Sequence, residues 1–128
     1  MNLKIMALII VSSLFTSNEA LAKSKINKIG MASWYGSESG SRTASGKRFH
    51  PNGLTAAHRT LAFGTKVKVT NLDNKKTIVV TINDRGPFVR GRIIDLSKGA
   101  ARSIGVKGVQ KVSLNVIHTP PKIHSRRS

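Results

Sequence analysis

Cysteine is absent from the 128-residue sequence, and acidic residues are scarce. Without cysteine the chain can form neither a disulfide nor a lipidated N-terminal cysteine, so its stability has to come from a packed core. Five Asp and Glu oppose 22 Lys and Arg, which gives a formal net charge of +17. A surface this basic is attracted to polyanions such as cell-wall polymers, anionic lipid headgroups or nucleic acid.

Long hydrophobic runs are also lacking, and the one at residues 5–15 is too short to span a bilayer comfortably. It follows a basic start at Lys4 and precedes Ala20-Leu21-Ala22, a pattern typical of a secretory signal peptide cleaved after Ala22. An uncleaved anchor helix is the alternative. We therefore expect a periplasmic or secreted protein without a membrane anchor after cleavage. The predicted organisation is a signal peptide (1–22), a linker (23–28), one small domain (29–118) and a basic tail (119–128).

The remaining sequence predicts a mainly β fold. Short stretches of alternating or β-branched residues, separated by Gly, Pro and Asn turns, predict six strands at 29–35, 54–57, 66–71, 77–82, 92–95 and 112–117. A short helix is expected at 97–104, with Ser97 or Asp95 as its N-cap and Gly105 as its stop. Because no long amphipathic helix exists to cover a parallel sheet, a small β-barrel is the most economical architecture.

One carboxylate is placed where chemistry commonly occurs. The β-branched stretch 77–82 runs directly into Asn83-Asp84-Arg85-Gly86-Pro87, which forces the chain out of the sheet. Asp84 should therefore lie at the edge of a turn held by a rigid strand. Alternatively, Asp84 only closes an Asx-turn.

Metal, nucleophilic and nucleic-acid sites are poorly supported. The four histidines show no ligand spacing, so we expect no metal and no cofactor. Ser45, His58 and Asp84 could form a triad, but no nucleophile elbow is present. Aromatic residues are few and not interleaved with basic ones, so nucleic acid is not an expected partner.

Sugar chemistry fits the residues better. Trp34 and Tyr35 precede a polar loop and could stack on pyranose rings, although one of the two could instead fill the barrel core. Glycoside hydrolysis usually needs two carboxylates. We interpret Asp95 as a helix-start residue, so a mechanism with one acid suits this sequence.

Six motifs in order resemble the rare lipoprotein A (RlpA) family: GMASWYG (30–36), TASG (43–46), LTAAHRTLAFGT (54–65), VKVTN (67–71), INDRGPF (82–88) and RIIDLS (92–97). The resemblance covers most of residues 30–117. It implies a six-stranded double-psi β-barrel with one or two short helices, the fold shared with expansins, barwin and family 45 endoglucanases.

The resemblance also implies a lytic transglycosylase acting on peptidoglycan strands stripped of stem peptides. In that reaction an acid protonates the leaving oxygen of the MurNAc–GlcNAc bond, and the C6 hydroxyl of the same sugar attacks to give a 1,6-anhydro end. One carboxyl group can act first as acid and then as base. The family motifs place this role on Asp84, with His58 orienting it or the substrate; His58 could instead be a packing residue. Substrate contacts are expected from Trp34, Tyr35, Thr43, Ser45, Lys47 and Arg85.

Lys47 is the departure that concerns mechanism, because the family usually has a glutamate there. A carboxylate near Asp84 would favour its protonated form, whereas an ammonium would favour the ionised form and weaken it as an acid. His50 and Ala62 also depart from the family pattern. An expansin-like module that binds peptidoglycan without cutting it is therefore the alternative. A monomer is expected in either case.

Overall fold

The computed structural model describes residues 28–35 and 42–122, which form a closed barrel. Six strands and one helix follow in the order β1 (Lys28–Tyr35), β2 (Thr55–Ala57), β3 (Lys66–Asn71), β4 (Thr77–Asp84), β5 (Arg92–Ser97), α1 (Lys98–Ser103) and β6 (Gln110–His118). The predicted signal peptide, most of the linker and the last six residues of the tail lie outside the described residues. No helix among the described residues has the length and apolar character needed to cross a membrane.

The strands are arranged around the barrel as β1-β5-β2-β4-β3-β6. β1 pairs with β5 in parallel, and β2 pairs with β4 in parallel, while the other four pairings are antiparallel. The mainly β prediction and the six strands are therefore confirmed, and so is one short helix.

The barrel interior is filled by small and β-branched side chains. Strand β3 alternates exposed lysines with buried valines, because successive side chains of a strand point to opposite faces. The central cluster combines the inward residues of the strands with those of the helix: Ala32, Ala56, Val67, Val69, Val80, Ile82, Ile94, Leu96, Ala100, Ala101, Ile104, Val106, Val112 and Leu114. A second, smaller cluster combines Phe49 with Tyr35 and Ala57, the last residues of β1 and β2.

The helix start is organised by Ser97, which corrects one of the two predicted caps. The Ser97 hydroxyl accepts a hydrogen bond from the Ala100 amide at 3.2 Å and donates to the Gly53 carbonyl at 2.5 Å. Asp95 therefore does not cap the helix. Gly99 lies so close to the preceding turn that a Cβ there would meet the Asn52 carbonyl oxygen at 2.7 Å.

Candidate active site

Asp84 is the last residue of β4, not a turn residue as its motif suggested. Ala56 pairs with Ile82 but Ala57 pairs with Asp84, so Asn83 is an extra residue that forms a β-bulge. Bulges are common beside active sites, because they change the direction of the following side chain. Gly86, with φ at +120°, then turns the chain away from the barrel.

The Asp84 side chain is held by backbone amides. Its Oδ1 accepts hydrogen bonds from the amides of Ala44 and Arg85, both at 2.9 Å. Among the described residues, none donates to Oδ2, and the side chain is half-buried. The backbone thus fixes one carboxylate oxygen, and the described part of the chain leaves the other without a donor.

The segment 43–47 supplies one of these amides and closes into a compact turn. Thr43 donates from its amide and from its hydroxyl to the Lys47 carbonyl, both at 3.0 Å. The Thr43 and Ser45 hydroxyls lie 2.7 Å apart, and the Ser45 amide donates to the Asn83 carbonyl at 3.2 Å. Thr43 is 7% exposed, so its main role here is to shape the turn. Lys47 is exposed, and no ion pair joins it to Asp84 within the described part of the chain.

His58 lies beside Asp84, linked through the main chain rather than through its ring. The His58 amide donates to the Asp84 carbonyl at 3.1 Å. Its Nδ1 accepts from the amides of Thr60 and Leu61 at 3.2 and 3.1 Å, so the ring proton must be on Nε2. Burial lowers the pKa of His58, and the positive charges of Lys28, Arg59 and Arg85 lower it further. The imidazole is therefore a neutral N–H donor at neutral pH.

Arg85 fixes the loop that carries His58. Its Nη1 donates to the carbonyls of His58 and Leu61 at 3.2 and 2.7 Å, and its guanidinium lies 4.0 Å from the centre of the Phe63 ring. These contacts give Arg85 an internal positioning role, which was not anticipated when it was predicted to contact substrate.

Trp34 and Tyr35 point to opposite sides of β1. Tyr35 is 9% exposed and packs against Phe49, with ring centroids 5.0 Å apart, so its ring is not free to stack on a sugar. That corrects the stacking prediction for Tyr35. Trp34 is 38% exposed, and its indole N–H donates to the Lys107 carbonyl at 3.0 Å. It takes no part in the contacts that join Asp84, His58, Arg85 and the segment 43–47, here called the Asp84 cluster.

Several polar groups around Asp84 lack hydrogen-bond partners within the described residues. They are the hydroxyl oxygens of Tyr35 and Thr55 and the amide oxygen of Asn83. Burial raises the pKa of the Tyr35 phenol far above its usual value, and the charges of Asp84 and Asp95 add to the effect. The neighbouring Thr55 side chain lowers the pKa of Tyr35 and so partly offsets this rise.

Asp95 is a second carboxylate in this region that sequence reasoning assigned to the helix. The register aligns Ser33, Asp95, Ala57 and Asp84 across β1, β5, β2 and β4. Ser33 donates to Asp95 Oδ1 at 3.1 Å. Burial raises the pKa of Asp95, while the Ser33 hydrogen bond and Arg92 partly offset that shift.

The sequence motifs did not lead us to predict Phe88 as a site residue. It is the last residue of the INDRGPF motif and is 80% exposed, the most exposed large hydrophobic side chain in the described structure. Its place in the same motif as Asp84 was the sequence feature that could have identified Phe88 as a candidate site residue. A metal site is not indicated, because no group of three or more His, Asp or Glu gathers among the described residues.

Comparison with known proteins identifies the family. The lytic transglycolase family model matches residues 27–116. The chain belongs to this family. It is 60% identical over 102 residues to a probable endolytic peptidoglycan transglycosylase RlpA of Synechocystis, covering 77% of this chain and 32% of that protein. An endolytic peptidoglycan transglycosylase RlpA of Campylobacter jejuni is 53% identical over 91 residues, covering 69% of this chain and 33% of that protein.

The resemblance to RlpA is thus confirmed, and the chain spans about a third of the length of these curated relatives. Among solved structures, an expansin of Clavibacter michiganensis matches with a TM-score of 0.59 and 21% identity, covering 76% of this chain and 53% of that one. A Streptomyces papain inhibitor matches with a TM-score of 0.58 and 20% identity, covering 73% and 98%. These likenesses confirm the double-psi β-barrel of this lytic transglycolase domain.

Proposed function

We propose that this domain is a lytic transglycosylase that cleaves the MurNAc–GlcNAc bond of peptidoglycan strands stripped of stem peptides. The observation that carries the proposal is the Asp84 carboxylate: two backbone amides fix its Oδ1, and no residue that the structure describes donates to its Oδ2. A relative at 60% identity is named a probable endolytic peptidoglycan transglycosylase, and one at 53% identity is named an endolytic peptidoglycan transglycosylase. Residues 1–22, which have the pattern of a secretory signal peptide, support export to the periplasm or the cell exterior, where this polymer lies.

The proposed mechanism uses Asp84 twice. Its carboxyl group gives a proton to the leaving GlcNAc oxygen, and its carboxylate then takes the proton of the MurNAc C6 hydroxyl as that oxygen attacks C1. The glycosidic bond breaks, the C6–O–C1 bond forms, and no water is consumed. The neutral His58 ring donates from Nε2 to a sugar oxygen, which its fixed tautomer allows. Phe88, four residues after Asp84 in the chain and 80% exposed, offers a stacking face for the glycan.

Digestion of purified, amidase-treated peptidoglycan tests the proposal. Mass spectrometry should detect 1,6-anhydro fragments with the native protein, and their yield should fall at least about a hundredfold with Asp84→Asn, because an amide cannot exchange the proton. Asp73→Asn is the matched control, since Asp73 is an exposed hairpin residue and its loss should leave the yield unchanged.

Two results would contradict the proposal. Anhydro ends at native yield from Asp84→Asn would remove Asp84 from the chemistry. Tight retention on the polymer without any fragments from the native protein would leave only the binding module.

A further inference from the structure

A pocket of about 310 Å³ lies on the other side of β1 from Tyr35 and shares no lining residue with the Asp84 cluster. Its apolar part is formed by Trp34, Ala101 and Val106. The Trp34 indole is held in place by its hydrogen bond to the Lys107 carbonyl. A fixed and partly exposed indole beside an apolar floor is a surface on which a sugar ring can stack.

The charged side chains that the described residues contribute to this pocket are all cationic. Lys98, Arg102 and Lys107 line it, all three are exposed, and no acidic residue of ranges 28–35 and 42–122 lines it. Cations grouped around an aromatic face select ligands that combine a ring with a negative charge. A neutral sugar would use the indole alone, and a simple anion would use the cations alone.

We propose that this pocket binds the free lactyl carboxylate of a muramic acid residue, with the sugar ring stacked on Trp34. This inference rests on the proposed function, because it takes the same glycan as ligand. It gives a physical reason for a preference for stripped strands. A stem peptide converts the lactyl carboxylate into an amide, and the charge that Lys98, Arg102 and Lys107 would recognise is then lost.

The chain provides its own reporter for this pocket, because Trp34 is its single tryptophan. The full chain carrying Asp84→Asn is titrated with stripped glycan oligomers while tryptophan emission is recorded. Asp84→Asn keeps the oligomers intact during the titration. We expect a saturable change in emission with stripped oligomers. Oligomers whose lactyl carboxylates have been amidated should bind about tenfold more weakly, because a tenfold loss of affinity corresponds to one lost charge-assisted contact.

Charge variants locate the contact. Arg102→Gln and Lys107→Gln should each weaken the emission-detected binding about fivefold to tenfold, since each removes one cation of the pocket. Lys68→Gln is the matched control, because Lys68 is an exposed lysine on β3 and its loss changes the net charge equally. The Lys68 variant should bind like the parent.

Three outcomes would overturn the pocket proposal. They are equal affinity for amidated and free oligomers, no emission change while sedimentation shows binding, and an equal change with polyglutamate, which carries charge but no sugar. Failure here is distinguishable from failure of the proposed function. Asp84-dependent anhydro products can form without an emission response, and an emission response can occur in a protein that makes no such products.

Discussion

Lys47 belongs to the same turn as Ala44, whose amide donates to the Asp84 carboxylate. Lys47→Glu should raise turnover by about tenfold, equivalent to about 1.4 kcal/mol in activation free energy. The reason is that a carboxylate near Asp84 favours the protonated form that an acid catalyst requires. The measurement is the initial rate of anhydro-fragment formation from stripped strands.

Lys47→Gln separates the two parts of this effect, because it removes the ammonium without adding a carboxylate. Its rate should lie between those of the native protein and Lys47→Glu. Three equal rates would show that residue 47 does not tune the acid, and its exposed position would then be the explanation.

Asp95 should lower the stability of the folded domain at neutral pH. Its pKa is higher in the folded than in the unfolded state, so the fold favours the protonated side chain. The resulting stabilisation is fully present below the unfolded pKa of about 3.9 and is lost as the pH rises through the folded pKa. Asp95→Asn should therefore have a higher Tm than the native protein at pH 7, and the difference should vanish below about pH 4. The side-chain oxygen can still accept from Ser33.

Calorimetry across this pH range measures the effect. A variant that is less stable than the native protein at pH 7 would mean that the ionised form is the one that the fold favours. Asp73→Asn, at an exposed position, controls for the general effect of removing one negative charge.

Candidate site residues could be named from the sequence where a motif contains them. The contacts of a side chain could not be predicted where they depend on residues distant in the sequence. The resemblance predicted Asp84 and His58 as site residues, and in the structure the His58 amide donates to the Asp84 carbonyl. The internal contacts of Arg85 left no signal in the sequence, because its partners are carbonyls of a loop 24 and 27 residues away. The choice between Trp34 and Tyr35 depended on which side of β1 faces Phe49, and alternation alone does not give the side.

At the scale of elements, the C-terminal end of α1 is stabilised from outside the helix. The Ile104 carbonyl accepts from the side-chain amides of Asn71, at 2.8 Å, and Asn74, at 3.0 Å. Asn71 is 2% exposed, and its Oδ1 also accepts from the Asp73 amide. This hydrogen-bonded end of β3 therefore joins the β3–β4 hairpin to the helix.

Asn71→Ala should lower the free energy of unfolding by about 2 kcal/mol, because it removes two hydrogen bonds and leaves the Asp73 amide without its partner. Asn74→Ala is the matched control and should cost less than about 1 kcal/mol, since Asn74 is exposed and water can replace it. Denaturant unfolding measures both values. Similar losses for the two variants would refute the assignment of the buried residue as the stronger contact.

Most elements were predictable because their hydrophobic patterns are strong. β3 was predicted with its observed bounds, and the helix differs only by the residues at its two caps. The predicted fourth strand was two residues too short, because Asn83 and Asp84 read as turn residues while their partner Ala57 extends the pairing. Pairing with a distant strand leaves no local signal, and neither does a bulge.

At the scale of the whole molecule, the excess of positive charge should govern retention on the polymer. Raising the salt concentration from about 0.1 to about 1 M shortens the Debye length from about 10 to about 3 Å. Binding of the Asp84→Asn protein to stripped sacculi should weaken at least about tenfold over this range, as measured by co-sedimentation. Sacculi with amidated carboxylates are the control, and the affinity of the protein for them should depend less on salt. An equal salt dependence for both kinds of sacculi would show that the protein is not attracted mainly to the glycan carboxylates.

The strand register brings both ends of the barrel chain to the side of the candidate site. Lys66 of β3 pairs with Thr81 of β4 and with His118 of β6, so β6 ends level with a residue three positions before Asp84. At the other terminus, the charge of Lys28 is one of those that lower the pKa of His58. A segment attached to either end of the barrel therefore starts within reach of a glycan strand bound at Asp84.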